Sequence, residues 1–392
     1  MIPPPEPTPV LFAGNAEYAV LAAVRALRAA GYAPWVAINQ PGTFAGRSRA
    51  TVGTVSVPDP ADDSEGFVCE FAAAARRLSV TAVLPVEETH LLALAGREAD
   101  FPGIAFGVPS RENVDQATNK GLLPEFATAA KLQTPPTTVV RSGSETVGTY
   151  GFPAIVKPLR TWIPRPDGTM SHHHVRYVTT EQAAEEAIED LPGGEGLVQQ
   201  YISGTNVSVS GVSWEGELVC ALHHISERIW PVTSGITAYA KTIPPNAELE
   251  QGVGHLLRMT HWSGPFEVEF IRSLSGEHYL IDFNPRIYGS LALAVAAGLN
   301  LPAIWVDLLL GRRPSVGGYR VGMRFRQEEH EVRALSWMLL NGEFRNVLQG
   351  LIPQRGTTHA IFSLRDPMPV LTSVKKLPTK MAQALGAQKI GV

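Results

Sequence analysis

Cysteine is nearly absent from this chain: Cys69 and Cys220 are the only two in 392 residues. They lie far apart in stretches that read as buried, so no disulfide framework is expected, and reduced thiols point to a cytoplasmic setting. No apolar run is long enough to span a bilayer. The opening Met-Ile-Pro-Pro-Pro-Glu-Pro-Thr-Pro has neither a basic flank nor an apolar stretch, so no secretory leader is expected. A strong charge of one sign is also missing. Lys and Arg number 33 against 37 Asp and Glu, a net charge of −4, which gives no electrostatic reason to expect nucleic acid as a partner. No internal repeat is visible.

What is present is a globular composition, 44% hydrophobic and 18% charged. The length suffices for two or three packed units. From residue 10 to about 109, short apolar runs alternate with helical patterns. Strands are expected at 10–14, 34–39, 54–57, 82–86 and 104–108, with helices at 18–30 and 66–78. That alternation implies an α/β unit with a parallel, doubly wound sheet. Gly14-Asn15-Ala16 opens the first helix, where such sheets bind ligands, but it is not a Gly-x-Gly-x-x-Gly fingerprint. Glu87 and Glu88 follow the 82–86 strand at the same carboxyl edge. Capping of the next helix is the simpler reading of that pair.

Farther on, a helix is expected over 116–131, starting near Thr118-Asn119-Lys120, and Pro135-Pro136 leads into a new unit. Residues 151–157 form a strand that ends on Lys157 and is stopped by Pro158; a lysine there is ordinarily a snorkelling surface residue. Another strand, a turn and a second strand are expected over 196–211, after a helix at 181–191.

The most informative stretch is residues 264–286. It reads as two alternating strands around a Ser275-Gly276 turn, with Leu274 pairing with Glu277. That register sets Glu269 opposite Asp282 and Glu267 opposite Asn284. One face then carries Glu267, Glu269, Ile271, Leu280, Asp282, Asn284 and, if the strand continues past Pro285, Arg286; the other carries Val268, Phe270, Tyr279, Ile281 and Phe283. Carboxylates directly opposite one another repel unless neutralised, and a hard divalent cation such as Mg²⁺ does that while leaving positions for phosphates. The competing reading is a solvated hairpin face.

Glu269 followed by Ile-Asp282-Phe-Asn284-Pro-Arg286 resembles the metal-binding end of the ATP-grasp superfamily, which includes carbamoyl phosphate synthetase, biotin carboxylase and D-alanine–D-alanine ligase. Asp282 stands where the usual pattern has Glu. The resemblance spans residues 120–311. It implies an N-terminal pre-ATP-grasp α/β domain over 1–112. An ATP-grasp domain of two α+β subdomains follows over 113–311, with its lid near 135–200. A C-terminal extension over 312–392 would complete the core or form an oligomer contact.

The resemblance also assigns roles. Lys120 and Lys157 match phosphate-contacting lysines. Gln199, Gln200, Tyr201 and Ile202 match the adenine hinge, Asn206 stands where ribose is held, and Ile271 supplies an apolar floor. Glu269, Asp282 and Asn284 are the implied ligands of two Mg²⁺ or Mn²⁺ ions, and Arg286 balances phosphate charge in the chemical step. Gly289-Ser290, at the start of a helix over 291–298, and Glu87 are candidates for substrate contact.

The glycine-rich flap of the family is replaced here by 165–177, with His172, His173 and His174. Phosphate cover, a solvated mobile loop and zinc binding all remain readings of it. The implied activity is ATP-dependent carboxylate–amine (or carboxylate–thiol) ligation through an acyl phosphate. Bicarbonate activation and a non-catalytic nucleotide-binding module are the alternatives. Expected partners are small-molecule carboxylates and amines, neither nucleic acid nor membrane, with homodimerisation left open. The tail, with a helix at 335–340 and a strand at 358–364, shows no chemistry.

Overall fold

The computed structural model describes residues 7–374 except 15–16, 144–146, 166, 233–234 and 353. The Asn15-Ala16 part of the glycine turn therefore lies outside the described residues. Five strands, β1 (Thr8–Ala13), β2 (Tyr32–Ile38), β3 (Gly53–Ser56), β4 (Ala82–Pro85) and β5 (Ala105–Phe106), form a parallel sheet in the order β3-β2-β1-β4-β5. The alternation in β1 explains its two-sided burial. Val10 and Phe12 pack with Leu21, Val24 and Leu27 of helix Glu17–Ala29, while Leu11 and Ala13 pack with Phe67 and Phe71 of helix Ser64–Arg77. The sheet is doubly wound, as the alternating pattern implies. Cys69 corrects one expectation: helix Ser64–Arg77 buries 67, 68, 71, 72, 74 and 75, which leaves Cys69 on the exposed side.

The expected helix over 116–131 is broken. Helix Arg111–Ala117 stops at Thr118, whose hydroxyl turns back to the Val114 carbonyl (2.8 Å), and Asn119 caps a single 3₁₀ turn through the Gly121 amide (3.0 Å) before helix Leu123–Ala129. Polar side chains that compete for backbone groups favour such breaks. Lys120 thus begins a short turn, with its own amide bonded to the Leu159 carbonyl at 2.9 Å.

A second sheet holds β6 (Thr137–Arg141) and β7 (Ala154–Lys157). Next comes a separate hairpin, β8 (Trp162–Pro164) with β9 (Met170–His172); β10 (Arg176–Val178) and β11 (Glu195–Gln200) then complete the second sheet in the order β10-β7-β11-β6. The third sheet contains β12 (Gly204–Trp214), β13 (Glu217–Trp230), β14 (Ile236–Thr242), β15 (Gly264–Ser273), β16 (His278–Asn284), β17 (Arg324–Arg326) and β18 (Thr357–His359), ordered β16-β15-β12-β13-β14-β17-β18. The strands on either side of the 201–203 turn lie in different sheets, so that turn is the covalent crossing between them.

One face of the large sheet is apolar. Val209, Phe266, Val268, Phe270, Leu280 and Phe283 pack against Leu249, Val253, Leu256 and Leu257 of helix Ala247–Met259. The opposite face turns toward the first sheet's domain.

The described part of the C-terminal segment packs into the shared core: Phe325, Ala360 and Ile361 belong to the cluster that holds Val10 and Leu27. The strand expected over 358–364 ends at His359. Beyond it, buried Asp366 accepts hydrogen bonds from Arg25 Nε (2.9 Å), Ser48 Oγ (2.6 Å) and the Arg49 amide (3.0 Å). Burial would raise its pKa, but these donors outweigh burial and hold it below the ordinary aspartate value of 3.8. Among the described residues no single helix is long and apolar enough to cross a membrane.

Because the folded pKa of Asp366 is depressed, its contribution to stability is present above the unfolded value and is lost as pH falls through the folded one. Asp366→Ala leaves Arg25 and the buried donors unpaired and is expected to cost about 3 kcal/mol near neutral pH. The gap in melting temperature between variant and wild type should narrow below pH 3.8. A pH-independent gap, or none, would show that the clamp contributes only packing.

Candidate active site

The site is built on the β15–β16 hairpin. Glu267 lies opposite Asn284 and Glu269 opposite Asp282, the register that alternation implies. The connection differs, however. The Ser273 amide donates to the Glu277 carbonyl (2.8 Å), so the loop is the three residues Leu274-Ser275-Gly276, with Gly276 at φ 92° and its amide on the Ser273 carbonyl (3.0 Å). That is one residue longer than a Ser275-Gly276 turn, and it shifts the pairing near the loop. A β-bulge between Glu269 and Phe270 in the register restores it: Phe270 pairs with Leu280, Glu269 with Asp282, and Ile281 is the extra residue. The bulge also reverses the facing of Leu280, which is fully buried in the apolar core instead of lying on the acidic face.

Three further elements converge on the acidic face. Lys120 forms an ion pair with Asp282 Oδ1. Lys157, buried at the end of β7, donates to the Ile281 carbonyl at 2.8 Å, so the extra residue of the bulge supplies its acceptor. Asn284 Nδ2 donates to Glu269 Oε1 (2.9 Å), and Arg286 Nη2 donates to Asn284 Oδ1 (3.1 Å) while Nη1 reaches the Ile287 carbonyl (3.1 Å).

Burial raises the pKa of Asp282, but the Lys120 and Lys157 charges and a bond from the Phe283 amide (3.0 Å) outweigh it and hold the group below the usual range. Glu269 is pushed up, by burial first and then by the Asp282 charge. Burial, followed by the Glu269 charge, pushes Glu267 well above its ordinary value. Burial likewise pushes Lys157 down to about 8, with Asp282 opposing and Lys120 adding to the shift.

Glu87 and Glu88 separate. Glu87 stands at the N-cap of helix Glu88–Leu94 without a side-chain cap bond, its Oε2 3.3 Å from His90 Nδ1. Glu88 is the member that faces the site. Burial raises it most, and the Arg286 and Lys120 charges then lower it. Helix phase decides between the two, and adjacent identical residues gave the sequence no means to choose. Arg160, which also acts on Glu88, donates to Thr118 Oγ1 at 2.8 Å and was not singled out by pattern.

A narrow cleft separates the second and third sheets. Lys120, Leu123, Pro124, Thr137, Lys157 and Gln199 are among its lining residues. Gln199 is buried and donates to Thr137 Oγ1 (2.9 Å); the Gln200 amide is bound to the Pro136 carbonyl (2.9 Å); Tyr201 packs edge-on against Tyr177. Ile202 is half-buried on the crossing. Asn206 lies opposite Ile271 on the neighbouring strand, and its Oδ1 is buried without a partner. Gly289 is exposed and Ser290 buried, at the N-cap of helix Leu291–Ala297 without a side-chain cap bond.

Where a loop over 165–177 was expected, the chain instead begins that stretch inside the β8–β9 hairpin. Trp162 packs on His172 (4.7 Å between centroids), His172 on His174 (4.3 Å), and the Met170 amide reaches the Ala61 carbonyl of the N-terminal domain (2.7 Å). Burial, then the neighbouring imidazoles for His172 and first Arg165 for His173, lowers the pKa of both. Among the described residues no group of three His, Cys, Asp or Glu is arranged to hold a metal alone. Glu269, Asp282 and Asn284 on the acidic face offer two carboxylates and one amide oxygen, an oxygen-only set suited to a hard cation that keeps other positions for phosphate.

The depressed Lys157 amine can be observed directly. With ¹³C-labelled lysines, one side-chain resonance should titrate near pH 8 and vanish in Lys157→Arg. If every lysine instead titrates near the ordinary value of 10.5, burial at the end of β7 does not act on this amine.

Comparison with known proteins is consistent with the geometry. Residues 194–331 match the family described as "ATP-grasp in the biosynthetic pathway with Ter operon". No curated protein matches the sequence. Among solved structures, the chain is similar to biotin carboxylase from Campylobacter jejuni in a β-γ-ATP complex (TM-score 0.62, 14% identity, 81% of this chain and 74% of that one). It is similar as well to L-amino acid ligase from Bacillus licheniformis (TM-score 0.57, 14% identity, 78% and 75%). A third is N5-carboxyaminoimidazole ribonucleotide synthetase from Thermus thermophilus (TM-score 0.58, 19% identity, 80% and 81%). At these identities the likeness is one of fold. The stretch matched by the family model contains the whole β15–β16 hairpin.

Proposed function

We propose that the chain is a Mg²⁺-dependent ligase that uses ATP to join a carboxylate to an amine through an acyl phosphate. The observation that carries this reading is the single sheet face on which Glu269, Asp282 and Asn284 stand, with Arg286 joined to it from the loop that follows and Lys120 and Lys157 brought to it from two other elements. Phosphoryl transfer asks mainly for positioned charge, and this face supplies it. Glu269, Asp282 and Asn284 would hold Mg²⁺ (or Mn²⁺), two ions in all with substrate phosphates. Bound there, the metal would neutralise phosphate oxygens.

Lys120 and Lys157 then balance the remaining phosphate charge. The backbone of Gln199, Gln200, Tyr201 and Ile202 reads the adenine edge, Ile271 lies beneath it, and the unpartnered Asn206 Oδ1 accepts from ribose. In the first step a carboxylate oxygen of the acid substrate attacks the γ-phosphorus. The bond to the bridging oxygen breaks, and ADP leaves with the electron pair. In the second the amine nitrogen attacks the acyl carbon, phosphate leaves, and the amine gives up its proton. Gly289 and Ser290 border the space where the acyl group lies, and Glu88 rather than Glu87 approaches it.

The test is ADP release from ATP in the presence of pooled carboxylic and amino acids. Asp282→Asn removes one anionic ligand and should lower turnover at ordinary magnesium by at least about tenfold, with the Mg²⁺ requirement raised. Normal turnover with an unchanged requirement removes Asp282 from the metal site. Nucleotide binding without ADP release from any acid–amine mixture favours a non-catalytic module.

Arg286→Lys separates charge from shape, because lysine keeps the charge and loses the planar fork. One lost charge-assisted donor in a dry site is worth about 3 kcal/mol, so turnover should fall roughly a hundredfold while ATP affinity changes far less. Loss of melting temperature with near-normal turnover would mean that Arg286 only braces Asn284 and the loop at Ile287.

A further inference from the structure

Next to the metal-binding row, on the same face of the large sheet, lies a polar cluster that the phosphoryl-transfer chemistry does not use. Ser210 is opposite Glu267 across β12–β15, and Ser208 is opposite both Glu269 and His224. His224 is therefore two strands from Glu269, on the side of Glu267. Its Nε2 is 3.8 Å from Glu267 Oε1, beyond hydrogen-bond distance. Tyr288, two residues after Arg286, completes the group, with Ser210 beside its hydroxyl but no bond of good geometry between them.

The hydrogen-bond inventory of this cluster is incomplete. His224 and Ser210 are 0% exposed and Tyr288 1%, yet both ring nitrogens of His224, Ser210 Oγ and the Tyr288 hydroxyl are buried without partners. Buried polar atoms are nearly always satisfied, so four without partners in one place point to a missing occupant. Glu267, 8% exposed, is the most accessible member of the group. Asp282 has Lys120 and Glu269 has the Asn284 amide, whereas among the described residues no hydrogen bond ties the Glu267 carboxylate. Arg286 directs its fork to Asn284 and Ile287 instead.

We infer that Glu267, Ser210, His224 and Tyr288 form the socket for the amino group of the nucleophile, a primary amine bound as its ammonium. This rests on the ligase reading above. An –NH₃⁺ group brings three donors and no acceptor. The cluster offers a carboxylate, two hydroxyl oxygens and a lone pair of an imidazole that burial keeps neutral, its pKa pushed down to about 4. The charge of the ammonium offsets the cost of a buried, unpaired carboxylate. A carboxylate or bicarbonate placed there would face Glu267 with no cation directed at it. The position also suits the reaction: Glu267 lies opposite Asn284 and two residues from Glu269, so an amine held there stands beside the row where the acyl phosphate forms.

Binding can be read without turnover. Full-length protein with Mg²⁺ and a non-hydrolysable ATP analogue is mixed with glycinamide, ethanolamine, acetamide or acetate, and saturation-transfer NMR reports which fragment binds. Both amines should bind, and acetamide and acetate should not. Glu267→Gln should weaken amine binding by about tenfold, the scale of a hydrogen bond to a charged group. Glu185→Gln, on an exposed helix position, should leave it unchanged, and Mn²⁺ affinity should stay the same in both variants.

If Glu267→Gln does not fold, Ser210→Ala and Tyr288→Phe preserve the packing and should each weaken the amine signal. The inference is overturned if wild type does not bind the amines, if it prefers acetate, if Glu267→Gln binds them normally, or if that variant loses Mn²⁺. Amine binding with no ADP release would count against the ligase reading alone. ADP release with an unchanged KM for the amine in Glu267→Gln would count against the socket alone.

Discussion

Charge neutrality in a buried row is the constraint on which this site depends. Glu88, Glu267, Glu269 and Asp282 meet Lys120, Lys157 and Arg286 where water is scarce, and an unpaired buried charge costs several kcal/mol. No one element supplies both signs. The acids come from β15, β16 and the first turn of a helix in the N-terminal domain; the cations come from a 3₁₀ turn, the end of β7 and the loop after β16. Pairing them therefore joins three regions of chain that sequence keeps far apart. The same pairing closes the cleft, because Lys157 spans from the second sheet to the third through the Ile281 carbonyl. In the proposed ligase a polyphosphate entering the cleft would compete for Lys120 and Lys157, the same charges that pair the acids of the row.

The bulge at Ile281 gives this row its order. Without it, the three-residue loop would displace β16 by one residue and turn Asp282 and Asn284 into the apolar core. With it, the carboxylates remain on one face, Leu280 joins Phe270 in the core, and the extra residue presents its carbonyl to Lys157.

Much of this was legible in the sequence, and what was not follows from its physical basis. Alternation in β1 and in residues 264–286 is a local property, and it gave the parallel sheet and the pairing of Glu269 with Asp282. Yet two irregularities cancel in that pairing, the longer loop and the bulge, and neither leaves a mark in the hydrophobic pattern. Leu280 was misplaced for that reason. The break at Thr118-Asn119 was hidden because a helical apolar pattern runs through it, while the side-chain caps that interrupt it look like ordinary polar residues. Glu88 and the cluster around His224 depend on contacts between distant segments, and nothing local distinguishes His224 from His223. The two rings point to opposite faces: His223 bonds Glu250 of helix Ala247–Met259 (3.0 Å), whereas His224 turns toward Glu267.

The C-terminal segment, mute in sequence, helps to tie the N-terminal domain to the large sheet. Glu331 takes Arg228 of β13 in a bidentate pair (2.9 and 2.6 Å), and Arg228 lies 4.3 Å and Arg326 5.5 Å from the ring centre of Tyr239. That fixes helix Glu328–Leu340 to the interior strands β13 and β14 of the large sheet. Glu329 from the same helix bonds Tyr18 of the N-terminal domain, and Asp366 clamps Arg25 and Ser48. One segment thus grips both the sheet that carries Glu269 and Asp282 and the domain that carries Glu88. Weakening its contacts should therefore alter the balance of charge in the row before it alters any residue within it.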